Sequence, residues 1–258
     1  MVAAGSQAGE QDTMTFSHSA DFTACPLGPF TTASKALAWG AAPAYDSDPA
    51  GLIQTIVAGQ GKTGGPCVQV KYPAHTNNGS TYQMFRQSGG LPVNAEWDMM
   101  YLPGFDLSRD VSKVGMQINW GALQGPPPAE GISAFIIANN SLNSPKFSTI
   151  VQNQVSGATI SQPPTSTGAI ATGIWYHWRV QLLGGPGGFA KFWFNDNLIA
   201  TYTNVAQTTA SDVVQLNYFP HYGGGGPGPT VDSYMLHDNL QYYSGDAPAL
   251  RRSAKRGR

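Results

Sequence analysis

Charge is what this sequence has least of. Asp, Glu, Lys and Arg make up 11% of its 258 residues, against about a quarter in ordinary soluble domains. No apolar run is long enough to span a membrane, so no membrane partner is expected. Cysteine is scarce: Cys25 and Cys67 are the two present. They can form one disulfide and cannot build a structural zinc site. In an oxidising compartment they are expected to bridge, closing a loop of about 40 residues. The opening MVAAGSQAGEQ has neither a basic n-region nor an apolar h-region, so no signal peptide is expected. Three locations stay open: a protein not exported by that route, a mature extracellular chain with an added Met, and a virus-encoded, virion-associated protein released by lysis. Gly-x-Ser-x-Gly, P-loop and zinc signatures are all missing. The glycine-rich runs 184–188 and 223–226 contain or adjoin proline and precede no helix, which excludes a phosphate cradle.

Uncharged polarity takes the place of charge. Gly (31) and Pro (19) are abundant, and Asn, Gln, Ser and Thr supply most of the remaining polar surface. Such a surface suits a hydroxyl-rich ligand, and equally a loop-rich β protein. The net charge of −1 is uneven, because five of the 14 basic residues lie in Arg251 to Arg258. Without them 9 basic residues face 15 acidic ones, a charge near −6. A body of that sign is not expected to bind nucleic acid. The basic tail reads as a solvated end that could dock on an acidic partner.

Strands are expected nearly throughout, separated by Gly, Pro and Asn clusters about every 10–15 residues, the rhythm of an all-β antiparallel sandwich. The helical candidates are short: Thr32 to Ala38 and Asp48 to Val57. The clearest strands are Pro66 to Tyr72, Ser80 to Gln87, Ala95 to Leu102, Lys113 to Trp120 and Gly131 to Ala138. Trp175 to Leu183, Gly188 to Phe194 and Leu198 to Thr203 form a meander. Val213 to Tyr218 and Ser233 to Tyr243 close the domain. Asn195-Asp196-Asn197 is expected to make a tight primed turn, and Gln152 to Thr172 a long loop or weakly paired edge. Residues 1–24 then form an N-terminal extension, 25–245 the sandwich and 246–258 a basic tail. Trp120, Trp178, Phe135, Phe192 and Phe194 are expected in or lining the interior.

Residues two apart in a strand share a face. On Lys113 to Trp120 this groups Lys113, Gly115, Gln117 and Asn119 opposite an apolar set, Val114, Met116, Ile118 and Trp120. A cation with two amides suits a groove; the alternative is a solvated outer face. On Ser80 to Gln87, Arg86 or the glutamines should look the same way. The segment Asn217 to Gly226 (NYFPHYGGGG) delivers Tyr218, His221 and Tyr222 beside a glycine run. These side chains can stack on sugar rings, and His or Tyr can carry a proton; the alternative is a corner where an aromatic plugs the core. His177 and His237 sit inside strands and read as satisfied sandwich histidines. No metal-ligand spacing is present and no cofactor is expected. Calcium is the one exception to consider, near Asp232, Asp238 and Asn239, although no compact acidic loop gathers them.

The C-terminal half adds a resemblance. GIWYHWRVQLLGGPGGFAKFWFNDNLIATYTNV (Gly173 to Val205) resembles the G-x-W-y-x-w-x-V … G-x-x-k-x-W-x-n/d-g-x-l-v stretch of concanavalin A-like jelly-roll polysaccharide lyases. LNYFPHYGGGGPGPTVDSYMLHDNLQYY (Leu216 to Tyr243) resembles the f-x-P-x-y-G-G ending of those proteins. The alginate and glucuronan lyase-like and heparin lyase I-like groups share this arrangement, and the likeness covers about residues 65–245. GFDLSRDVSKVGMQINWG (Gly104 to Gly121) resembles the same families with Lys113 on the family lysine. Val111 and Ser112 replace the paired glycines before it, and Gln117-Ile118-Asn119 resembles a Gln-Ile-His motif without its histidine.

The resemblance implies a jelly roll that binds an acidic polysaccharide and cleaves it by β-elimination. Lys113, His221 and Tyr222 would be catalytic, and Arg86, Gln117, Asn119 and Tyr218 would bind substrate. The alternative is a non-catalytic glycan-binding or structural module on a virus particle or cell surface.

Overall fold

The computed structural model describes residues 16–76, 82–88, 91–108, 112–121, 131–139, 145–153, 160, 166–205, 213–222 and 228–245. Of these, the side chains at 82–84, 87, 88, 112, 113, 139, 166, 221 and 222 lie outside the description, as do both chain ends, including the basic tail.

The described residues form eighteen strands, numbered here in chain order: β1 (Ser17–Ser19), β2 (Gly28–Pro29), β3 (Tyr45–Asp46), β4 (Gln54–Val57), β5 (Cys67–Tyr72), β6 (Tyr82–Ser88), β7 (Val93–Tyr101), β8 (Ser112–Lys113) and β9 (Met116–Trp120) come first. After them run β10 (Ile132–Asn139), β11 (Lys146–Asn153), β12 (Ser166–Ala169), β13 (Tyr176–Leu183), β14 (Phe189–Phe194), β15 (Asn197–Thr203), β16 (Val213–Tyr218), β17 (His221–Tyr222) and β18 (Ser233–Ser244). They make two antiparallel sheets. The first runs β15-β14-β13-β7-β18-β5-β4-β2, with β1 also on β18; the second runs β12-β11-β10-β9-β16-β6-β3, with β8 also on β10 and β17 on β8. The molecule is an all-β antiparallel sandwich of the jelly-roll kind, as its alternating sequence requires. Because β1 pairs with β18, Ser17↔Tyr243 to Ser19↔Gln241, the first sheet begins before Cys25. Among the described residues no helix is long and apolar enough to cross a membrane.

The core lies between the sheets and follows the period-2 pattern. Trp97 and Trp178 are cross-strand partners and fully buried. Phe147, Phe192, Ile118, Trp120 and Leu216 fill the same layer, and Phe194 packs partly buried against it. Phe135 departs from expectation. It is buried, but in β10 it alternates with the core residues Ala134 and Ile136 and pairs with Ile150, so it lies on the face turned away from the interior. Three tyrosine hydroxyls tie sheet to sheet. Tyr202 bonds Thr149 Oγ1 at 2.7 Å, Tyr242 donates to the Asn217 carbonyl at 2.6 Å, and Tyr218 bonds His237 Nδ1. Such buried polar contacts are stabilising when satisfied and fix one sheet's register against the other.

Local chemistry explains where the chain departs from expectation. The helix α1 (Thr32–Trp39) forms, capped by the Thr31 side chain accepting from Ser34 N–H and ended by Gly40 in the left-handed region. Asp48 to Val57 does not form a second helix. The Asp48 carboxylate accepts from the amides of Leu52, Ile53 and Gln54, which fixes a turn that feeds β4. The Gln152 to Thr172 stretch holds the end of β11 and the edge strand β12, and β11 itself, KFSTIVQN, escaped the sequence reading. The Asn195-Asp196 turn is as expected, with φ of 47° and 67°, the primed geometry that suits a twisted hairpin. Cys25 and Cys67 are both free. The Cys25 thiol faces the Ser34 carbonyl, whereas Cys67 is buried and its thiol is pushed up to about 12 by that burial and by Asp238.

Candidate functional site

The outward face of the second sheet gathers most of the residues singled out in the sequence. Arg86 pairs with Gln215, Gln215 with Asn119, and Asn119 with Ser133. Ser133 pairs in turn with Gln152. This row crosses five strands, about 19 Å at the usual strand spacing. A second row holds Gln117 opposite Asn217, and Asn217 opposite Gln83. Alternation explains the arrangement: Val114, Met116, Ile118, Trp120, Leu216 and Tyr218 go inward, so their neighbours go outward. Arg86 is exposed. Gln117, Asn119, Ser133, Gln215 and Asn217 are each less than a tenth exposed and form a recessed floor. The Ser133 hydroxyl donates to Asn119 Oδ1.

The expected single strand Lys113 to Trp120 is broken in two at Gly115, and its neighbour is broken opposite, between β16 and β17. Phe219 N–H donates to the Gly115 carbonyl at 2.6 Å, bridging the two breaks. Gly115 has φ of +118°, and a Cβ there would come within 2.6 Å of Trp97 Nε1, so only glycine fits. Breaks and bulges of this kind re-aim the residues beyond them. Beyond this one, β8 and β17 pair with His221 opposite Lys113 and Tyr222 opposite Ser112. Lys113 also pairs with Ile137. Lys113 and His221 therefore stand as direct partners at one end of the amide floor, with Tyr222 one position on, opposite Ser112.

Tyr218 does not join them. It is fully buried and its hydroxyl is engaged by His237 across the core, which corrects the expectation that it touches a ligand. The residue before it takes that place: Asn217, with Gln215 and Ser133, belongs to the floor and was missed. Alternation groups Gln215 with Asn217 on one face of β16, but which face is outward depends on the opposite sheet.

A second polar cluster occupies the outward face of the first sheet. His177 Nδ1 lies 3.0 Å from Asp98, and its Nε2 lies 3.4 Å from Glu96. Lys62 pairs with Asp98 at 2.6 Å, Asn239 donates to Asp98 at 2.7 Å, and Tyr243 donates to Glu96 at 3.1 Å. Burial alone would lower the His177 pKa, but its hydrogen bonds to the Asp98 and Glu96 carboxylates raise it to about 9. Burial would push the Asp98 carboxyl up, yet His177, Lys62 and Asn239 hold it below its usual range. The Arg179 guanidinium stacks on Trp193 at 3.9 Å. Sequence reading gave His177 as a satisfied strand histidine, and its partners here are those of one. Asp238 likewise accepts from the Lys62 amide and Asp232 pairs with Lys71. Among the described residues no group of His, Cys, Asp and Glu is placed to hold a metal ion.

Comparison with known proteins bears on the fold. No family model matches the chain, and no curated protein does. Solved structures do. The alginate lyase Aly36B is 19% identical over 88% of this chain and 96% of its own, with a TM-score of 0.69. The alginate lyase vAL-1 from Chlorella virus is 11% identical over 74% and 90%, at 0.56. The endo-β-1,4-glucuronan lyase of the fungus Trichoderma reesei is 14% identical over 75% and 87%, at 0.52. The chain shares the jelly-roll fold of polysaccharide lyases. At these identities the likeness is one of fold, and function has to be argued from the site.

Proposed function

We propose that this protein binds an acidic polysaccharide along the outward face of its second sheet and cleaves it by β-elimination at the Lys113 end. The observation that carries the reading is the polar floor: a five-strand row of Arg86, Gln215, Asn119, Ser133 and Gln152, with Lys113 and His221 paired further along the strands. Amide hydrogens and a cation beside a uronate carboxylate stabilise the charge that develops when C5 loses its proton. Lys113, Gln117, Asn119 and Arg86 are assigned that role. A base takes the C5 proton, the C4–O4 bond breaks as the C4–C5 double bond forms, and the departing oxygen takes a proton. His221 and Tyr222 are assigned the proton transfers. Two titratable groups able to carry a proton are what the reaction needs.

Two further facts support the reading. The fold neighbours are named as lyases of alginate and glucuronan, both acidic glycans. One structure of Aly36B holds an alginate tetrasaccharide in a variant with a lysine and a tyrosine replaced by alanine, the residue types offered here by Lys113 and Tyr222. The register bears on which proton carrier acts: His221 is directly opposite Lys113, whereas Tyr222 is opposite Ser112.

The test is ultraviolet absorbance of unsaturated uronate released from alginate, glucuronan and heparin-type chains. Product from one of them is expected. Binding without any product would assign the same face to a non-catalytic glycan-binding module, the reading suited to a surface or virion protein. Neither binding nor product would overturn both.

A further inference from the structure

Two amides of the floor offer opposite ends of the same chemistry. Asn119 Oδ1 is taken by the Ser133 hydroxyl, so what Asn119 has left to give is its Nδ2 hydrogens. Asn217 is 7% exposed, and its Oδ1 is buried without a hydrogen-bond partner. Its position is not loose, because the Tyr242 hydroxyl holds its own carbonyl from the opposite sheet at 2.6 Å and its strand pairs on both sides. A buried acceptor left unpaired destabilises the empty protein. In the floor of a glycan groove, a sugar hydroxyl would satisfy it.

We propose that Asn217 Oδ1 accepts a hydrogen bond from a free hydroxyl of the bound sugar, which makes Asn217 a specificity-determining residue of the glycan site; this rests on the function proposed above. The chemistry selects the donor. A carboxylate cannot donate to Oδ1, whereas a secondary hydroxyl can, and the hydrogens left on Asn119 Nδ2 are the ones suited to the carboxylate. Asn119 and Asn217 stand diagonally on adjacent strands, about 7–8 Å apart. The uronate ring therefore lies with its carboxylate toward the Asn119 row and a hydroxyl edge toward Asn217. Glycans with that hydroxyl acetylated or removed leave the acceptor buried and unpaired, and are rejected.

The test pairs affinity with stability. Asn217→Leu keeps the volume and removes the acceptor. Calorimetric titration with alginate tetrasaccharide and with glucuronan oligosaccharides should show an affinity loss of tenfold or more. The empty variant should melt at the same temperature as the wild type or higher. Fully acetylated oligosaccharides, weak on the wild type, should bind the variant no worse. An affinity within twofold of wild type overturns the proposal. So does a melting temperature several degrees lower, which would make Asn217 structural. Should the variant fail to fold, the wild-type complex decides: a sugar hydroxyl within about 3.2 Å of Oδ1 supports the inference, and its absence from a bound complex overturns it. If the wild type binds none of these glycans, it is the functional reading that fails.

Discussion

The two outward faces of the sandwich solve the problem of polar residues in opposite ways. On the first sheet, Glu96, Asp98, His177, Lys62, Asn239 and Tyr243 are charged or strongly polar and bonded to one another. On the second, the floor is built of uncharged amides, and one of them carries a buried acceptor with no partner. The charged network satisfies its own carboxylates and acts on stability, although Asn94 Oδ1 and Arg179 Nε beside it are buried and unpaired. An open network lowers the stability of the empty protein and is ready for a partner. On the function proposed above, the cluster richest in charge is the less functional of the two, although it carries the larger pKa shifts that usually draw attention to active sites.

The sharpest way to break that contrast is at the Lys113 end. Lys113→Ala is expected to lower turnover about a thousandfold while the melting temperature stays at the wild-type value, measured by unsaturated uronate absorbance and thermal unfolding. His221→Ala and Tyr222→Phe, assayed together, show which carries the proton; the register favours the larger loss at His221. A turnover unchanged by Lys113→Ala would remove the second face as the reactive one.

The complementary variant is Asp98→Ala. It strips three hydrogen bonds from a side chain that is 4% exposed and leaves His177 and Lys62 without their main anion. A stability loss of about 2 kcal/mol is expected by denaturant unfolding, with glycan affinity unchanged. Reduced affinity at constant stability would reverse the roles of the two faces.

The histidines sharpen the contrast through pH. His177, on the closed network, has its pKa raised to about 9 from 6.5. Its stabilisation is complete below pH 6.5 and is lost as pH rises through 9. His237, in the core, has its pKa lowered to about 3 by burial. The unfolded chain takes up a proton that the folded one refuses, so stability falls as pH drops from 6.5 toward 3. Melting temperature against pH should decline on both sides. His177→Gln should flatten the alkaline limb, and His237→Gln the acid limb, after allowing for the loss of its Tyr218 bond. A limb unaffected by its variant would assign that loss elsewhere.

The smallest effect is expected at the C-terminus. The last strand ends at Ser244, and deleting Arg251 to Arg258 should leave the melting temperature within about two degrees. A larger drop would mean that the tail docks on one of these faces.

Much of this was legible in the residues themselves. Alternation in Val114 to Trp120 and in Tyr176 to Leu183 placed the core tryptophans, and Asn195-Asp196 announced its turn, because both are local consequences of backbone geometry. The same alternation put Gln117 and Asn119 on one face. It could not say that Tyr218 would be drawn inward to meet His237 while Asn217 faced out, because that choice depends on the opposite sheet. Nor could it divide Lys113 to Trp120 at Gly115, since the cause is Trp97, 18 residues away in sequence and packed against that glycine from the other layer. The helix expected at Asp48 to Val57 failed for a related reason. A single carboxylate collected three amides there, and side-chain competition of this kind overrides periodicity. Composition, strand pattern and sandwich class were thus determined by the sequence alone, because period and propensity act within a few residues. Which polar groups are satisfied, and which are left unpaired, was decided only when two sheets closed on each other, because a hydrogen-bond partner has no address in the local sequence.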